Sequence, residues 1–208
     1  MKILRYSLGQ LQANCYFLIK ENNCLIIDPA DEANFILEEL QRKKLKLLAM
    51  LATHGHFDHL MAVGEIQKSF NVPLYISFKD KFLIDRLEKT AEYFLGYQPM
   101  ILPIKMIRNL DIKNSLKIKN YKLKIINTPG HTPGSVCFYF SEEKIIFTGD
   151  TLFKGAIGRY DFSYSNKNDL RESLDQILSL PKETIIYSGH GEETIIFKEK
   201  NILNQFYF

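Results

Sequence analysis

All five histidines of the chain lie in three short segments, each of which contains glycine. The segments are THGHFDH at residues 53–59, PGHT at residues 129–132 and SGHG at residues 188–191. A histidine on its own is more often a hydrogen-bonded residue of the core or surface than a ligand. Here no histidine lies outside the three segments, and imidazole and carboxylate groups are side chains that hold zinc, iron or manganese. The pattern therefore predicts a metal site.

The first segment has the spacing needed to serve two metal ions. In an extended segment residues i and i+2 point the same way, so His54 and His56 can converge on one ion. Asp58 and His59 start a predicted helix and can reach a second ion. A single heptapeptide can therefore supply ligands to both ions.

The remaining ligands must come from distant parts of the chain. His131, Asp150 and His190 each follow a predicted strand and adjoin a glycine, which lets the backbone approach a site closely. Asp150 has two carboxylate oxygens and can bridge two ions. Ions held about 3.5 to 4 Å apart lower the pKa of a shared water and polarise a substrate oxygen, which is hydrolytic chemistry. The predicted metal ligands are His54, His56, Asp58, His59, His131, Asp150 and His190.

Runs of β-branched and aromatic residues predict strands that end where the candidate ligands begin. Residues 47–52 form a short apolar run that stops at the first histidines, and residues 145–148 lead directly into Gly149 and Asp150. The other predicted strands lie near residues 2–8, 14–20, 24–28, 72–77, 116–118, 123–125, 136–140 and 184–187.

Apolar residues at helical spacing predict the helices between these strands. Asp31 can cap a first helix whose apolar face includes Ile36 and Leu40, and Thr194 can cap a last short helix. The terminal segment 206–208 can pack on the core or on another subunit, and we expect the core. The other predicted helices span residues 58–70, 79–95 as a mixed helical segment, and 170–178.

The order of these elements predicts the class of fold. Strands occur in two groups with helices after each group, and no linker rich in proline, glycine or serine separates them. This predicts an α/β protein with two sheets packed face to face and covered by helices. With 208 residues, of which 46% are hydrophobic, we expect one domain over residues 1–208.

Composition excludes several classes of function. The formal net charge is only +3 and the lysines are dispersed, so we expect no nucleic-acid partner. The sequence has no apolar run long enough to cross a bilayer and no signal-peptide pattern, so we expect a cytoplasmic protein without a membrane partner. Three cysteines far from one another predict buried apolar residues rather than a disulfide framework. We expect a small-molecule substrate, and the sequence does not determine the oligomeric state.

The motifs H-x-H-x-D-H, P-G-H, G-D-T-L-F and G-H-G, in this order, resemble the metallo-β-lactamase superfamily. The resemblance runs from residues 14–16 to the segment after His190. It implies an αββα four-layer sandwich of two mixed β-sheets flanked by helices. It further implies that Asp28 supports the histidine loop from behind the ligands. By this resemblance His54, His56 and His131 hold the first metal, Asp58, His59 and His190 hold the second, and Asp150 bridges them.

Within this family, zinc β-lactamases do not carry an aspartate at the place of Asp150, whereas the glyoxalase II-like hydrolases do. Residues 149–153 and 158–161 resemble the short, single-domain glyoxalase II-like branch. The resemblance implies hydrolysis of a thioester such as a hydroxyacylglutathione by a metal-bridging hydroxide. Asp58 would orient the hydroxide and take a proton after the attack.

The resemblance also implies two divalent metal ions, with zinc as the first expectation and iron or manganese as alternatives. Full-length hydroxyacylglutathione hydrolases carry a further C-terminal helical region that supplies much of the glutathione site. This chain ends soon after His190, so the resemblance does not carry glutathione recognition over to it. The sequence identifies no substrate-binding residues.

Several alternatives stay open at this point. A persulfide dioxygenase would use one iron on positions like His54, His131 and Asp150, and the sequence GRYDF at residues 158–162 fits that branch too. A lactonase or another hydrolase of the family is a second alternative. Arg159 is either a substrate contact or a residue that holds its loop together. A purely structural metal is disfavoured, because such sites are usually closed and rich in cysteine.

Overall fold

The computed structural model describes residues 1–111 and 113–206, without the side chains of residues 203–206. The chain divides into two compact units, Met1–Asp111 and Ile112–Phe208. The single domain of residues 1–208 therefore stays a prediction. The predicted packing of the terminal aromatic side chains lies outside the described residues.

The first unit contains one mixed sheet of six strands. The strands follow one another in sequence order across the sheet, with β1 to β3 antiparallel and β3 to β6 parallel. Every residue of β3 is buried, as its continuous apolar run predicts. The strands are β1 (Lys2–Leu8), β2 (Ala13–Lys20), β3 (Asn23–Ile27), β4 (Lys46–Leu51), β5 (Leu74–Ile76) and β6 (Ile107–Asn109).

Helices connect these strands. For the helix predicted over residues 58–70, the predicted start is wrong. The chain forms a 3-10 turn at Phe57–His59 and enters a helix only at Val63. The break arises because Ala30 takes the backbone bonds that a continuous helix would need. The His59 carbonyl accepts from the Ala30 N–H at 2.9 Å, and the Ala62 N–H donates to the Ala30 carbonyl at 2.8 Å. The helices of the unit are α1 (Ala33–Arg42), α2 (Val63–Ser69), α3 (Lys81–Ile84) and α4 (Leu87–Leu95), with a second 3-10 turn at Phe78–Asp80.

The second unit contains another mixed sheet, in the order β14-β13-β10-β9-β8-β7. Strands β10 and β13 are parallel, and the other pairs in the sheet are antiparallel. Strands β11 and β12 form a separate hairpin. The strands are β7 (Ser115–Ile118), β8 (Tyr121–Asn127), β9 (Val136–Phe140), β10 (Ile145–Gly149), β11 (Leu152–Phe153), β12 (Ala156–Ile157), β13 (Ile185–Ser188) and β14 (Thr194–Ile195); the helices are α5 (Lys167–Leu178) and α6 (Ile196–Phe206).

Two predicted helix caps are wrong. Glu32, in the left-handed region at φ 57°, occupies the N-cap of α1, whereas Asp31 accepts the Glu32 N–H through its side chain. Thr194 belongs to β14, and its hydroxyl donates to the Glu199 carboxylate at 2.6 Å instead of capping α6. In both places the candidate side chain bonds another nearby group: Asp31 accepts the N–H of the next residue, and Thr194 donates to a carboxylate one turn into the helix.

The predicted α/β class with two mixed sheets flanked by helices is confirmed. Each unit has its own apolar core. All three cysteines are buried, as predicted. Among the residues that the structure describes, no helix combines the length and the hydropathy needed to span a bilayer.

Candidate metal centre

The loop after β4 brings His54 and His56 together. His54 Nε2 lies 3.0 Å from His56 Nδ1. Two nitrogens that bind the same zinc ion at about 2.0 to 2.1 Å lie roughly 3 Å or slightly more from each other. The two rings therefore converge as the i, i+2 spacing predicts, and their distance fits two ligands of one ion.

A chain of hydrogen bonds behind His54 determines which of its nitrogens can bind a metal. The Thr53 hydroxyl donates to Asp28 Oδ2 at 2.7 Å, and the Thr53 N–H donates to Asp28 Oδ1 at 2.7 Å. Because that hydroxyl gives its hydrogen to the carboxylate, its oxygen accepts the Nδ1–H of His54 at 3.0 Å. The lone pair of His54 then lies on Nε2, the nitrogen that faces His56.

Asp28 also contacts His59, the second predicted ligand of the adjacent 3-10 turn. His59 Nδ1 lies 3.1 Å from Asp28 Oδ2, and both side chains are buried. The other ring nitrogen of His59, Nε2, lies 3.7 Å from Asp58 Oδ2. This distance is compatible with two atoms that bind the same ion. Asp28 therefore contacts His59 directly and His54 through Thr53, an arrangement that fits a carboxylate orienting two imidazoles.

Asp80 contacts the loop that carries His54 and His56, and it was not among the residues predicted from the sequence. Its carboxylate is fully buried, and Oδ2 accepts the N–H of Gly55, the residue between His54 and His56, at 2.8 Å. The available signal was an aspartate shortly after a short apolar strand, which is how the predicted ligand Asp150 is also placed. No spacing pattern links it to the histidines.

In the second unit, Asp150 and His190 meet because β10 and β13 are parallel neighbours. Their ends lie side by side, and the Gly189 N–H donates to the Gly149 carbonyl at 2.8 Å. His190 follows β13 just as Asp150 follows β10. Asp150 Oδ2 lies 3.7 Å from His190 Nε2 and also 3.7 Å from His131 Nε2. One carboxylate oxygen is thus equidistant from two imidazole nitrogens, which fits a carboxylate shared by two ions.

His131 is oriented by the backbone of the loop at residues 158–162. Its Nδ1–H donates to the carbonyl oxygen of Arg159 at 2.9 Å, so its Nε2 keeps the lone pair and faces Asp150. Gly158 is required in this loop, because a Cβ atom there would lie 1.9 Å from the carbonyl oxygen of Asp150. The loop therefore packs against the backbone of Asp150 through Gly158, and it orients His131 through the carbonyl of Arg159.

The Arg159 side chain has the contacts of a residue that holds its loop together. Its guanidinium makes two 2.9 Å hydrogen bonds to Asp161 and lies 4.4 Å from the centre of the Phe162 ring. These bonds raise the pKa of Arg159 and hold the pKa of Asp161 below its ordinary value. Tyr160 is 41% exposed, with the Lys167 ammonium 5.5 Å from its ring centre.

The donor chemistry fits divalent metal ions. His54, His59 and His131 each place one ring nitrogen against an oxygen acceptor and direct the other toward a further predicted ligand. This pairing is typical of histidines that bind metals, because the acceptor fixes the tautomer and the ring orientation. The carboxylates of Asp58 and Asp150 supply the negative charge that a divalent ion needs.

Comparison with known proteins identifies the class. The family model of the metallo-beta-lactamase superfamily matches residues 8–190. The chain is 36% identical over 203 residues to the probable metallo-hydrolase YqgX of Bacillus subtilis (strain 168), covering 97% of this chain and 95% of that protein. It is 37% identical over 193 residues to the hydroxyacylglutathione hydrolase GloC of Haemophilus influenzae, covering 91% of this chain and 90% of that protein. The chain belongs to the metallo-β-lactamase superfamily, as its motifs predict.

Solved structures support the same assignment. The chain is similar to the crystal structure of BLEG-1 B3 metallo-beta-lactamase, with a TM-score of 0.88 and 33% identity over 96% of this chain and 97% of that chain. It is also similar to the crystal structure of TTHA1623 in a di-iron-bound form, with a TM-score of 0.87 and 33% identity over 96% of this chain and 98% of that chain. The predicted αββα fold class is therefore confirmed, and membership of this superfamily supports a metal-dependent hydrolase.

Proposed function

We propose that this protein hydrolyses small thioesters, with hydroxyacyl thioesters of glutathione as the first substrate class. The observation that carries the proposal is the position of Asp150, whose Oδ2 is equidistant from His131 and His190. An aspartate at this place is the feature by which the motifs resemble the glyoxalase II-like hydrolases rather than the zinc β-lactamases. The similarity to GloC supports the same substrate class.

We further propose that the predicted ligands bind two metal ions and that residues 1–208 act as a single catalytic domain. The family model supports this, because its match runs through both units. Zinc is our first choice of metal, and the similarity to a di-iron form of TTHA1623 makes iron the next to test. By the family to which the chain belongs, the proposed ligands are His54, His56 and His131 for one ion and Asp58, His59 and His190 for the other, with Asp150 bridging.

In the proposed reaction the metal ions and the protein side chains have different roles. Two divalent ions bound by these residues would lower the pKa of a water and polarise the thioester carbonyl. Asp58, whose side chain is 14% exposed, orients the attacking water and accepts its proton. The water oxygen bonds to the acyl carbon, the carbon–sulfur bond breaks and the sulfur takes a proton, so the products are a carboxylic acid and a thiol. Asp28 and the Arg159 carbonyl keep His59 and His131 in the orientation that this reaction needs.

The test is hydrolysis of S-lactoylglutathione by protein loaded separately with zinc, iron or manganese. We expect metal-dependent turnover that collapses in Asp58→Ala and persists in Asp31→Ala, which removes a carboxylate outside the proposed ligand set. The bound metal is counted in each preparation, and we expect two ions per chain. Protein that binds two ions but fails to hydrolyse the thioester with any metal would refute the proposed substrate class.

Two other activities have specific support and belong in the same experiment. The sequence GRYDF at residues 158–162 favours a persulfide dioxygenase, for which one iron per chain and oxygen uptake with glutathione persulfide are expected. The similarity to BLEG-1 favours β-lactam hydrolysis, for which a chromogenic cephalosporin is the probe. A lactone completes the panel. We propose the thioester first because Asp150 and the similarity to GloC both favour it.

We also propose that the substrate is a small molecule and that the protein works in the cytoplasm without a nucleic-acid partner. The weak net charge supports the absence of a nucleic-acid partner. Cell fractionation and a binding assay with labelled RNA test these two points.

A further inference from the structure

We propose that Asp80 is a positioning residue that holds the His54–Gly55–His56 loop in the conformation that binds metal. The proposal rests on the dinuclear centre proposed above, although it does not depend on the identity of the substrate. The Gly55 peptide joins the two histidines, so its orientation determines how their rings converge. That peptide donates its N–H to Asp80 Oδ2 at 2.8 Å.

Close packing makes this bond more than a surface contact. Asp80 is fully buried, and a Cβ atom on Gly55 would lie 2.8 Å from the Asp80 Cβ and 3.1 Å from the Leu83 Cβ. Nothing larger than glycine therefore fits between the histidine loop and the segment that carries Asp80. A displacement of this segment would therefore act directly on the histidine loop.

Asp80 is itself held from the next strand. It ends the 3-10 turn that follows β5, and its own N–H donates to the Ser77 carbonyl at 3.2 Å. The Ser77 hydroxyl donates to Asp111, and the Phe78 N–H donates to Asn109 Oδ1 at 3.2 Å. The carboxylate that holds Gly55 is thus anchored through its turn to the end of β6.

The sheet explains why these parts meet. Strands β4, β5 and β6 are parallel neighbours, so the segments that follow them lie at the same edge. The histidine loop follows β4, the turn of Asp80 follows β5 and Asp111 follows β6. Each segment holds the one before it, and the series ends at the two metal ligands. Groups that hold metal ligands in place typically change metal affinity by about 10- to 100-fold when they are removed.

The experiment compares Asp80→Leu, Asp80→Asn and a matched control, Asp85→Asn, which removes an exposed carboxylate from the same region. Leucine removes the acceptor at similar volume, whereas asparagine keeps one acceptor oxygen. The first readout is the amide hydrogen exchange of Gly55 in metal-free protein, measured by NMR. The second is the affinity for zinc, measured by competition with a chelator, together with the number of ions bound.

We expect both readouts to change together, in the order wild type, Asp80→Asn, Asp80→Leu. Asp80→Leu should expose the Gly55 amide to exchange and lower the zinc affinity by about 10- to 100-fold. Asp80→Asn should retain most of the protection of the Gly55 amide and most of the zinc affinity. Asp85→Asn should match the wild type in both.

Zinc affinity that stays at the wild-type level while the Gly55 amide exchanges faster would overturn the proposal. If Asp80→Leu does not fold, Asp80→Ala, which also removes the acceptor, decides by the same comparison. Neither readout uses a substrate. A failure of thioester hydrolysis and a failure of this inference can therefore be told apart.

Discussion

Arg159 orients His131 through its backbone carbonyl, which accepts the Nδ1–H of the imidazole at 2.9 Å, while its side chain pairs with Asp161. The two parts of this residue therefore serve different purposes. A change of the side chain leaves the carbonyl in the chain, whereas a shift of the loop backbone moves the carbonyl away from the imidazole.

This relationship predicts opposite outcomes for two adjacent substitutions. Gly158→Ala places a methyl group 1.9 Å from the Asp150 carbonyl, so the loop must shift, and we expect kcat/KM to fall roughly 100-fold. Arg159→Ala removes only an exposed ion pair, which contributes little to stability, and we expect at most a several-fold loss of kcat/KM. Steady-state kinetics on folded variants measure both. Equal losses in the two variants would contradict this role of the carbonyl.

The bond between Asp28 and His59 predicts a loss of metal affinity. Asp28 lies at φ 48°, a left-handed conformation that asparagine adopts well, so Asp28→Asn changes the charge with little backbone strain. We expect this variant to bind metal about 10- to 100-fold more weakly, because His59 loses its carboxylate acceptor. Chelator competition measures the affinity, and Asp31→Asn is the matched control. Unchanged affinity in Asp28→Asn would show that this carboxylate does not support the ligands.

The cluster around Glu39 predicts how stability depends on pH. The Tyr6 hydroxyl donates to Glu39 at 2.6 Å, and this bond together with Arg42 holds the pKa of Glu39 below its ordinary value of 4.5. A carboxyl group whose pKa is lower in the folded state stabilises that state at pH values above the ordinary pKa. This contribution is lost as the pH falls through the lowered pKa. We expect Glu39→Gln to reduce the free energy of unfolding by about 1 to 3 kcal/mol at neutral pH, with a difference that shrinks in acid.

Denaturant unfolding at neutral and acidic pH measures this difference. Glu38→Gln removes a charge from the same helix without the bond to Tyr6, and serves as the control. A deficit in Glu39→Gln that is the same at both pH values would contradict the assignment.

The buried cysteines predict slow alkylation of the folded protein. Burial raises the pKa of the Cys24 thiol to about 12 and raises the pKa of Cys15 as well. Because the thiolate is the reactive form, iodoacetamide near pH 8 should leave these residues unmodified in the folded protein. Mass spectrometry should find them alkylated only after denaturation. Rapid modification of either cysteine in the native state would show that its surroundings open easily.

Much of the fold follows from local pattern. Apolar runs predict the strands near residues 2–8, 14–20 and 136–140, because continuous or alternating hydrophobic residues suit a buried strand whatever lies elsewhere in the chain. The convergence of His54 and His56 follows in the same way from a two-residue spacing. The helix that starts at Val63 rather than Asp58 does not, because Ala30, far away in sequence, takes the bonds of the first turn.

The sequence by itself determined the types and order of the predicted ligands, since residue chemistry and short spacings are local properties. The tertiary structure decided which nitrogen the imidazoles of His54, His59 and His131 present. Asp28 and the Arg159 carbonyl reach His59 and His131 only through folding, and Thr53 accepts from His54 because its hydroxyl donates to the distant Asp28. Asp80 also needed the structure, because only the parallel packing of β4 and β5 brings its carboxylate to Gly55. Long-range hydrogen bonds of this kind leave no periodic trace in a sequence.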